Sequence, residues 1–494
     1  MIRSVRPPYG RRGPRALSSF SLSGLLTVTL AALLALSGCG GPAATPPPSL
    51  DCSGCSVVLI SIDTLRADHL GSYGYERDTS PRLDAFAAEA TRFARAYAAS
   101  YHTADSHMSV FTALHPSVHG VRNTRSASEA RPLTAAVVTL PERLAAGGLR
   151  TFGYHAGGNV SPAYGFGRGF EEYRGTGSEV QPAIDRLADL ASRPAERFFL
   201  FFHTYRPHDP YLPAAPYNEL WEKEYAGPVL GSQEAFDAQL AEGEDFAEKR
   251  RLFWSRIDPE VPADLRKAIA LYDGEIRQTD DEIGRLLDQI DRMPQRILVA
   301  VMSDHGEEFH EHGRFLHDQL YDEVLHVPLM IRHPDRVLAG QVVDAPVGLV
   351  ALAPTLLDLA GVQGFEAPQA ASLRALMEGG APAAPAPVLA EKIVTLEEDG
   401  ATPRLHHRAL ISRHLKLLSL GQRGELLFDL ELDPREREDL AAIRPDDRVR
   451  LAGALARIAA RNDQRRLELR DRDAPGRTEI DAEMVEQLKA LGYL

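Results

Sequence analysis

Residues Ile297 to Glu308 read I-L-V-A-V-M-S-D-H-G-E-E, a short unbroken apolar run that stops at a carboxylate, an imidazole and a glycine. A run this short, apolar on every side and rich in β-branched residues predicts a strand buried on both faces, the kind found in the middle of a helix-covered parallel sheet. In such sheets ligands bind at the carboxyl ends of the strands, so Asp304 and His305 are delivered to the place where chemistry is done. A neighbouring Asp and His supply one hard oxygen and one nitrogen, a pair suited to a divalent cation. The competing explanation is a helix-capping carboxylate beside a satisfied core histidine.

The same pattern recurs. Val57 to Ile62 is a second buried run that ends at Asp63, and Phe198 to Phe202 is a third, ending near His203 and His208. Between the strands lie helical signals. Ser80-Pro81 opens a helix with Leu83, Phe86, Ala90 and Phe93 at helical spacing, and Thr139-Leu140-Pro141-Glu142 is a capping box. Leu265 to Ile290 reads as one long helix. The alternation predicts an α/β fold with a large doubly wound sheet flanked by helices. Glu378 to Pro387 is Pro/Ala-rich and is taken as a linker between residues 56–377 and a small α+β subdomain over 388–494. Within that subdomain Leu410–Leu418 and Leu426–Leu430 read as strands and Asp446–Arg461 as a helix.

The first 38 residues are expected to be a signal peptide. Arg3, Arg6, Arg11, Arg12 and Arg15 precede an uncharged stretch from Leu22 to Leu36, shorter than the roughly 20 residues that span a bilayer. Leu36-Ser37-Gly38-Cys39 resembles the lipobox of bacterial lipoproteins. Cys39 is therefore expected to carry lipid, anchoring an exported protein to a bacterial membrane through a Pro-rich tether up to residue 55, with order beginning at Ser56. The segment carries no acid, so what remains is more acidic than the whole chain's formal charge of −14. That balance excludes nucleic acid as a partner, because no basic stripe is available. Cys52 and Cys55 could form a local disulfide in an exported chain and are read as structural.

A further segment, Tyr101-His102-Thr103-Ala104-Asp105-Ser106-His107-Met108-Ser109, crowds hydroxyl residues at the approach to a helix. A nucleophile there gains from the positive end of the helix dipole, which also favours an anionic ester. Thr103 and Ser106 are the rival hydroxyls, and an N-cap is the plainer reading of Thr103.

Six segments in order now resemble one family. They are Asp63-Thr64-Leu65-Arg66 through Leu70, Thr103 through Gly120, Pro207-His208-Asp209-Pro210-Tyr211, Ser303 through Gly313, Leu320-Tyr321-Asp322-Glu323 with Val327-Pro328, and Leu427-Phe428-Asp429-Leu430 with Asp433-Pro434. Together they resemble the sulfatase family of the alkaline phosphatase-like superfamily from about Ser56 onward. The resemblance implies that Asp63, Asp304 and His305 hold one divalent metal ion, that Thr103 is the nucleophile and a metal ligand, and that His208 protonates the leaving group. It also implies that His317 steadies the ester oxyanion, and that Arg66 and Asn159 line the anion pocket.

Departures from the family pattern shape the expected chemistry. Relatives carry Cys or Ser in C/S-x-P-x-R, which is oxidised to formylglycine; Thr103-Ala104-Asp105-Ser106-His107 lacks these residues, so formylglycine is not expected. Thr64 stands where a second acid is usual. With one carboxylate fewer and an imidazole present, the cation (calcium, manganese or zinc) shifts away from calcium. A sulfated formylglycine hydrate can expel sulfate by elimination, which threonine cannot, whereas a phospho-threonine can be cleaved by water at phosphorus. The expected function is hydrolysis of sulfuric, phosphoric or phosphonic esters. Transfer of a phospho-head group, and a catalytically inactive binding protein, are the alternatives. Asp322 and His326 could hold a second metal, although an exposed helical face explains them better. His102, His107, His310 and His312 are read as supporting residues. Specificity is assigned to loops, including the acidic insertion Gln233–Lys249.

Overall fold

The alternation of side chains along the central strands explains the architecture directly. In β1 (Ser56–Ile62), Val57 and Leu59 enter one apolar core while Val58, Ile60 and Ile62 enter another. A strand buried on both faces needs a helical layer on each. The computed structural model describes residues 49–122, 132–238, 246–380, 386–395 and 404–470. The expected signal peptide, Cys39 and most of the Pro-rich tether lie outside the described residues, as do 239–245 of the insertion and 471–494.

Eight strands form the main sheet. After β1 these are β2 (Thr91–Phe93), β3 (Arg150–His155), β4 (Glu172–Gly175), β5 (Phe198–Thr204), β6 (Ile297–Met302), β7 (Leu329–Arg332) and β8 (Val342–Val343), in spatial order β8-β2-β7-β6-β1-β5-β3-β4. The five from β6 to β4 are parallel, and β7 runs antiparallel to both β6 and β2, so the sheet is mixed. One face is covered by α1 (Thr103–Thr112) through Ala104, Met108 and Phe111. The other packs against the long helix α3 (Pro262–Asp291) through Ala268, Leu271, Tyr272, Ile276 and Ile283. A shorter helix, α2 (Phe246–Trp254), comes from the insertion that precedes α3.

The helix expected after Ser80 is shorter than its periodicity suggests. It covers Pro81–Ala88, and Phe93 belongs to β2 instead. Residues 90–93 can serve either period, and pairing of Arg92 with Met330 decides for the strand. The capping box at Thr139 forms as expected, with Glu142 N donating to the Thr139 hydroxyl and Thr139 N to the Glu142 carboxylate. Packed structure begins before Ser56, because Leu50, Cys52 and Cys55 are fully buried and the two cysteines are disulfide-bonded. No helix among the described residues is long and apolar enough to cross a membrane.

The C-terminal sheet is an antiparallel meander of β9 (Val388–Thr395), β10 (Arg404–Ser412), β11 (Leu415–Ser419) and β12 (Glu425–Asp429), followed by α4 (Pro445–Arg470). The stretch Leu410–Leu418, expected as one strand, is a hairpin turning at Arg413, whose φ of +58° the apolar pattern did not reveal. Leu389, Leu410, Leu417 and Leu427 face Leu451 and Leu455 of α4, whereas Ala390, Ala409, Ile411 and Leu418 join the main core. This sheet therefore has two apolar faces and docks directly on the core of the main sheet.

The docking is completed by a buried charge. Glu391 of β9 accepts from His406 Nε2 (2.9 Å), Ser117 N (2.9 Å) and Arg408 Nε (3.3 Å), and its backbone bridges to Ser100, three residues before Thr103. Burial alone would raise the pKa of this carboxyl, but these partners hold it well below its ordinary value. Its contribution to stability is therefore complete above the unfolded glutamate pKa of roughly 4.3 and is lost as pH falls toward the lowered folded value. Glu391→Ala is expected to cost about 3 kcal/mol, because Arg408 and His406 lose their partner, and to flatten the acid limb of a Tm-against-pH curve. Thermal denaturation between neutral and acid pH measures both effects.

Candidate active site

Register brings the site together before any side chain is considered. Ser61 pairs with Met302 on one side and His203 on the other, so the chain segments leaving β1, β6 and β5 emerge side by side. Asp63, Asp304 and His305 are all fully buried at these strand ends. Their ligand atoms lie within 4.8 Å of one another. Thr64, next to Asp63, has φ +53°, an uncommon conformation for a β-branched residue. Its turn is held from outside, since Tyr272 of α3 donates to the Thr64 carbonyl (2.7 Å) and Ser303 Oγ accepts from Leu65 N (2.9 Å). Gly306 follows His305 because a Cβ there would stand 2.1 Å from the Glu323 carbonyl oxygen.

Thr103 is the first residue of α1, with His102 at the N-cap position, so the N-cap reading of Thr103 does not hold. Its hydroxyl lies 3.4 Å from His305 Nε2 and acts to lower the Asp63 pKa against the larger effect of burial. Ser106, the rival hydroxyl, donates to the Asp304 carbonyl (2.7 Å) and ties the helix to the end of β6. His107 stands where the family pattern has arginine. Its Nδ1–H donates to the Thr103 carbonyl (2.9 Å), Nε2 meets Ser61 Oγ (2.8 Å), and Nδ1 is 3.3 Å from the Asp304 carboxylate.

The electrostatics describe a site built for a cation. Among the described residues, Asp63 Oδ1 and both Asp304 carboxylate oxygens are buried without a hydrogen-bond partner. Burial, and then the Asp304 charge, push the Asp63 pKa well up. Asp304 is held low despite its burial, by His305 and His107. Two carboxylates that repel one another in a dry pocket, each with oxygens to spare, fit a divalent ion that would neutralise both. His305 is oriented to join them as a ligand. Its Nδ1–H donates to the Gly306 carbonyl (3.0 Å), leaving Nε2 as the lone-pair nitrogen toward Thr103 and Asp304. Burial lowers its pKa against the opposing charge of Asp304.

Around this centre the other expected residues are unevenly placed. His317 Nδ1–H donates to the Tyr101 carbonyl (2.9 Å), and its ring is 4.4 Å from that of His305 and 5.7 Å from that of His208. Burial lowers its pKa far below the ordinary value, so in the free protein Nε2 is an acceptor. To steady an anionic oxygen it must gain a proton along with the anion. Asn159 is fully buried with both amide atoms unpartnered among the described residues, and its backbone N–H donates to Tyr205, whose ring packs on His203 and His208.

The Arg66 guanidinium binds Asp68 through Nε and Nη2, and Glu311 and the Glu307 carbonyl through Nη1. Asp322 and His326 form neither an exposed face nor a second metal pair: Asp322 binds the buried Lys416 (2.8 Å), and His326 Nε2–H donates to the Ala94 carbonyl (2.9 Å). Asp429 and Asp433 are turn residues, accepting from Glu431 N and from Arg437 N respectively.

One residue given no role by sequence reasoning is His203. It lies near the end of β5, with Nδ1 accepting from Ala156 N and Nε2 3.4 Å from the Asp63 carboxylate, which it orients. Its position beside the end of a buried strand was the available signal.

A hydroxyl at a helix start, facing two carboxylates and an imidazole at the ends of parallel strands, is the layout of an ester hydrolase of the alkaline phosphatase-like kind. Residues 56–362 match the sulfatase family, and residues 310–451 match the family described as N-sulphoglucosamine sulphohydrolase, C-terminal. The chain belongs to the sulfatase family and is a sulfuric or phosphoric ester hydrolase. It is similar to an arylsulfatase of Clostridium perfringens, 26% identical over 451 residues that cover 78% of this chain and 90% of that protein. Among solved structures, the phosphonate monoester hydrolase of Silicibacter pomeroyi has a TM-score of 0.65 at 22% identity, covering 83% of this chain and 96% of the other. A protein solved in complex with its substrate D-glucosamine-2-N,6-O-disulfate has a TM-score of 0.66 at 20% identity, covering 83% of this chain and 99% of the other.

Proposed function

We propose that this protein is a metal-dependent hydrolase of phosphoric or phosphonic esters acting through Thr103, exported and held to a bacterial membrane by a lipid on Cys39. The observation that carries the reading is the hydroxyl of Thr103 set against Asp63 and His305 at the start of α1. Asp63, Asp304, His305 and Thr103 would hold the ion, which when bound supplies positive charge to the nonbridging oxygens and acidifies the Thr103 hydroxyl. The chain's own residues do the rest. Thr103 Oγ, its proton lost to solvent, attacks the central atom and the bond to the ester oxygen breaks. His208, once it has taken up a second proton at Nε2, passes that proton to the oxygen, and the resulting threonine ester is then cleaved by water. Asn159 offers an amide to a nonbridging oxygen, and His317 joins it once protonated.

Threonine favours phosphorus over sulfur because it has no hemiacetal hydroxyl through which sulfate could be eliminated. Water must instead attack the central atom of the intermediate. The arylsulfatase relative keeps sulfate esters in contention, and the fold is shared by a phosphonate monoester hydrolase and by a protein bound to a sulfated sugar, so the choice rests on the threonine. The test is a panel of aryl sulfate, phosphate monoester, phosphate diester and phosphonate ester, each with calcium, manganese and zinc. A phosphorus ester is expected to exceed aryl sulfate in kcat/KM by roughly tenfold or more, a difference of about 1.4 kcal/mol in the barrier. Sulfate as the best substrate would sink the phosphorus reading, and activity indifferent to chelation would sink the metal.

A further inference from the structure

We infer that Arg250 and Asp209 are positioning residues for His208, forming a carboxylate-imidazole pair whose outer member is delivered by the insertion helix α2. The inference rests on the proposed role of His208 as the acid that protonates the leaving group.

Asp209 follows His208 in the chain, and its side chain is fully buried. A buried carboxylate demands compensation, and this one receives three donors. Arg250 binds it in the two-pronged manner, Nε to Oδ2 at 2.5 Å and Nη2 to Oδ1 at 2.8 Å, and Trp254 Nε1 donates to Oδ2 at 2.8 Å. Arg250 and Trp254 are four residues apart, so one face of α2 presents both donors to one carboxylate. Two parallel N–H bonds fix the plane of the carboxylate as well as its place.

What Asp209 holds is the ring of His208. Nδ1–H donates to the Asp209 carbonyl at 2.9 Å, and the same nitrogen is 3.3 Å from Asp209 Oδ1. A carbonyl can only accept, so Nδ1 carries the hydrogen of the neutral ring, and any proton passed to a leaving group comes from Nε2. Tyr205 bounds the ring on one side, at 5.7 Å and nearly perpendicular, and His317 on another. The arrangement of aromatic rings continues outward: Trp254 packs on Tyr211 and Phe315, which seats α2 against the loop that follows His208. Burial lowers the His208 pKa, the Asp209 charge favours the imidazolium and the Arg250 charge opposes it, so the pair orients the ring without locking it in the charged form. Nothing in the apolar periodicity of the insertion marks this role, because Arg250 and Asp209 are 41 residues apart in sequence.

A positioning role for the acid has a signature that general destabilisation lacks. Protonation matters for an ester whose leaving group is a poor one and little for an activated aryl ester. In the full chain loaded with metal, Asp209→Asn and Arg250→Gln are expected to lower kcat on an alkyl ester by roughly 10- to 100-fold. The loss on the matching 4-nitrophenyl ester should be under about threefold, with KM within about twofold, and Arg250→Lys should fall between wild type and Arg250→Gln. Equal losses on both esters, or none, would overturn the inference. His208→Gln is measured alongside. If wild type turns over but this variant shows no leaving-group dependence, the acid role of His208 fails, and the positioning role fails with it. If wild type cleaves no ester, the functional reading falls, and imidazole 15N spectra decide the positioning separately. A His208 signal held as the Nδ1–H tautomer in wild type and averaged in Arg250→Gln supports it, while identical spectra refute it.

Discussion

Thr103→Ala is expected to lower kcat/KM by roughly 10³- to 10⁵-fold, the scale on which removing an enzyme's nucleophile is felt. The loss should not come from unfolding. Thr103 opens α1 but does not cap it, and the helix is held by Ser106 Oγ on the Asp304 carbonyl and by the packing of Met108 and Phe111. Thr103→Ser keeps the hydroxyl and should retain most of the rate. Mass spectrometry after acid quench should find the substrate's acidic group on the wild-type peptide containing Thr103 and not on the alanine variant. Wild-type turnover by Thr103→Ala would remove the nucleophile from the proposal, and turnover with an acceptor alcohol in place of water would make the enzyme a transferase.

The second large effect concerns the cation. Asp304→Asn removes a strand-end carboxylate whose two oxygens are unpartnered among the described residues, and is expected to reduce activity by roughly 10³-fold, the equivalent of about 4 kcal/mol in the barrier. A readout independent of turnover is available. An ion that binds the folded state at 100 times its Kd stabilises it by about 2.7 kcal/mol, so wild type should gain Tm on metal addition. The variant should gain little. Asp63→Asn should behave in the same direction, whereas Arg66→Gln should leave the metal-dependent gain intact, because its guanidinium is engaged with Asp68 and Glu311. Equal gains in wild type and Asp304→Asn would place the ion elsewhere or exclude it.

The legible part of the site consists of residues fixed to strand ends. Asp63 and Asp304-His305 could be read because an unbroken apolar run has a definite end, and side chains just past that end share one edge of the sheet. His203 carried the same mark but sat one residue beyond an aromatic run, where a satisfied core histidine is the ordinary outcome. The partners of Arg66 were hidden for a different reason. A guanidinium reaches far from its Cα, and which acceptor it finds depends on Asp68 and on Glu311, a residue 245 positions away. Ser106 and Thr103 are three residues apart on one helix, and only the docking of that helix on β6 shows that Ser106 spends its hydroxyl on a backbone carbonyl.

The C-terminal region divides in the same way. Its strands alternate as a sheet should, yet the hairpin at Arg413 and the docking through Glu391 depend on partners supplied by the rest of the chain.

Local patterning by itself determined the doubly wound architecture, the strand-end carboxylates, the imidazole beside them and the hydroxyl at a helix start, because each depends on periodicity or on the next few residues. Tertiary structure alone decided that Ser106 spends its hydroxyl on a backbone carbonyl, that His305 presents Nε2 to the carboxylates, that Asp68 and Glu311 engage Arg66, and that Arg250 reaches Asp209. Those outcomes are set by hydrogen-bond partners distant in sequence. In a buried site a polar group takes whichever partner the fold brings within about 3 Å.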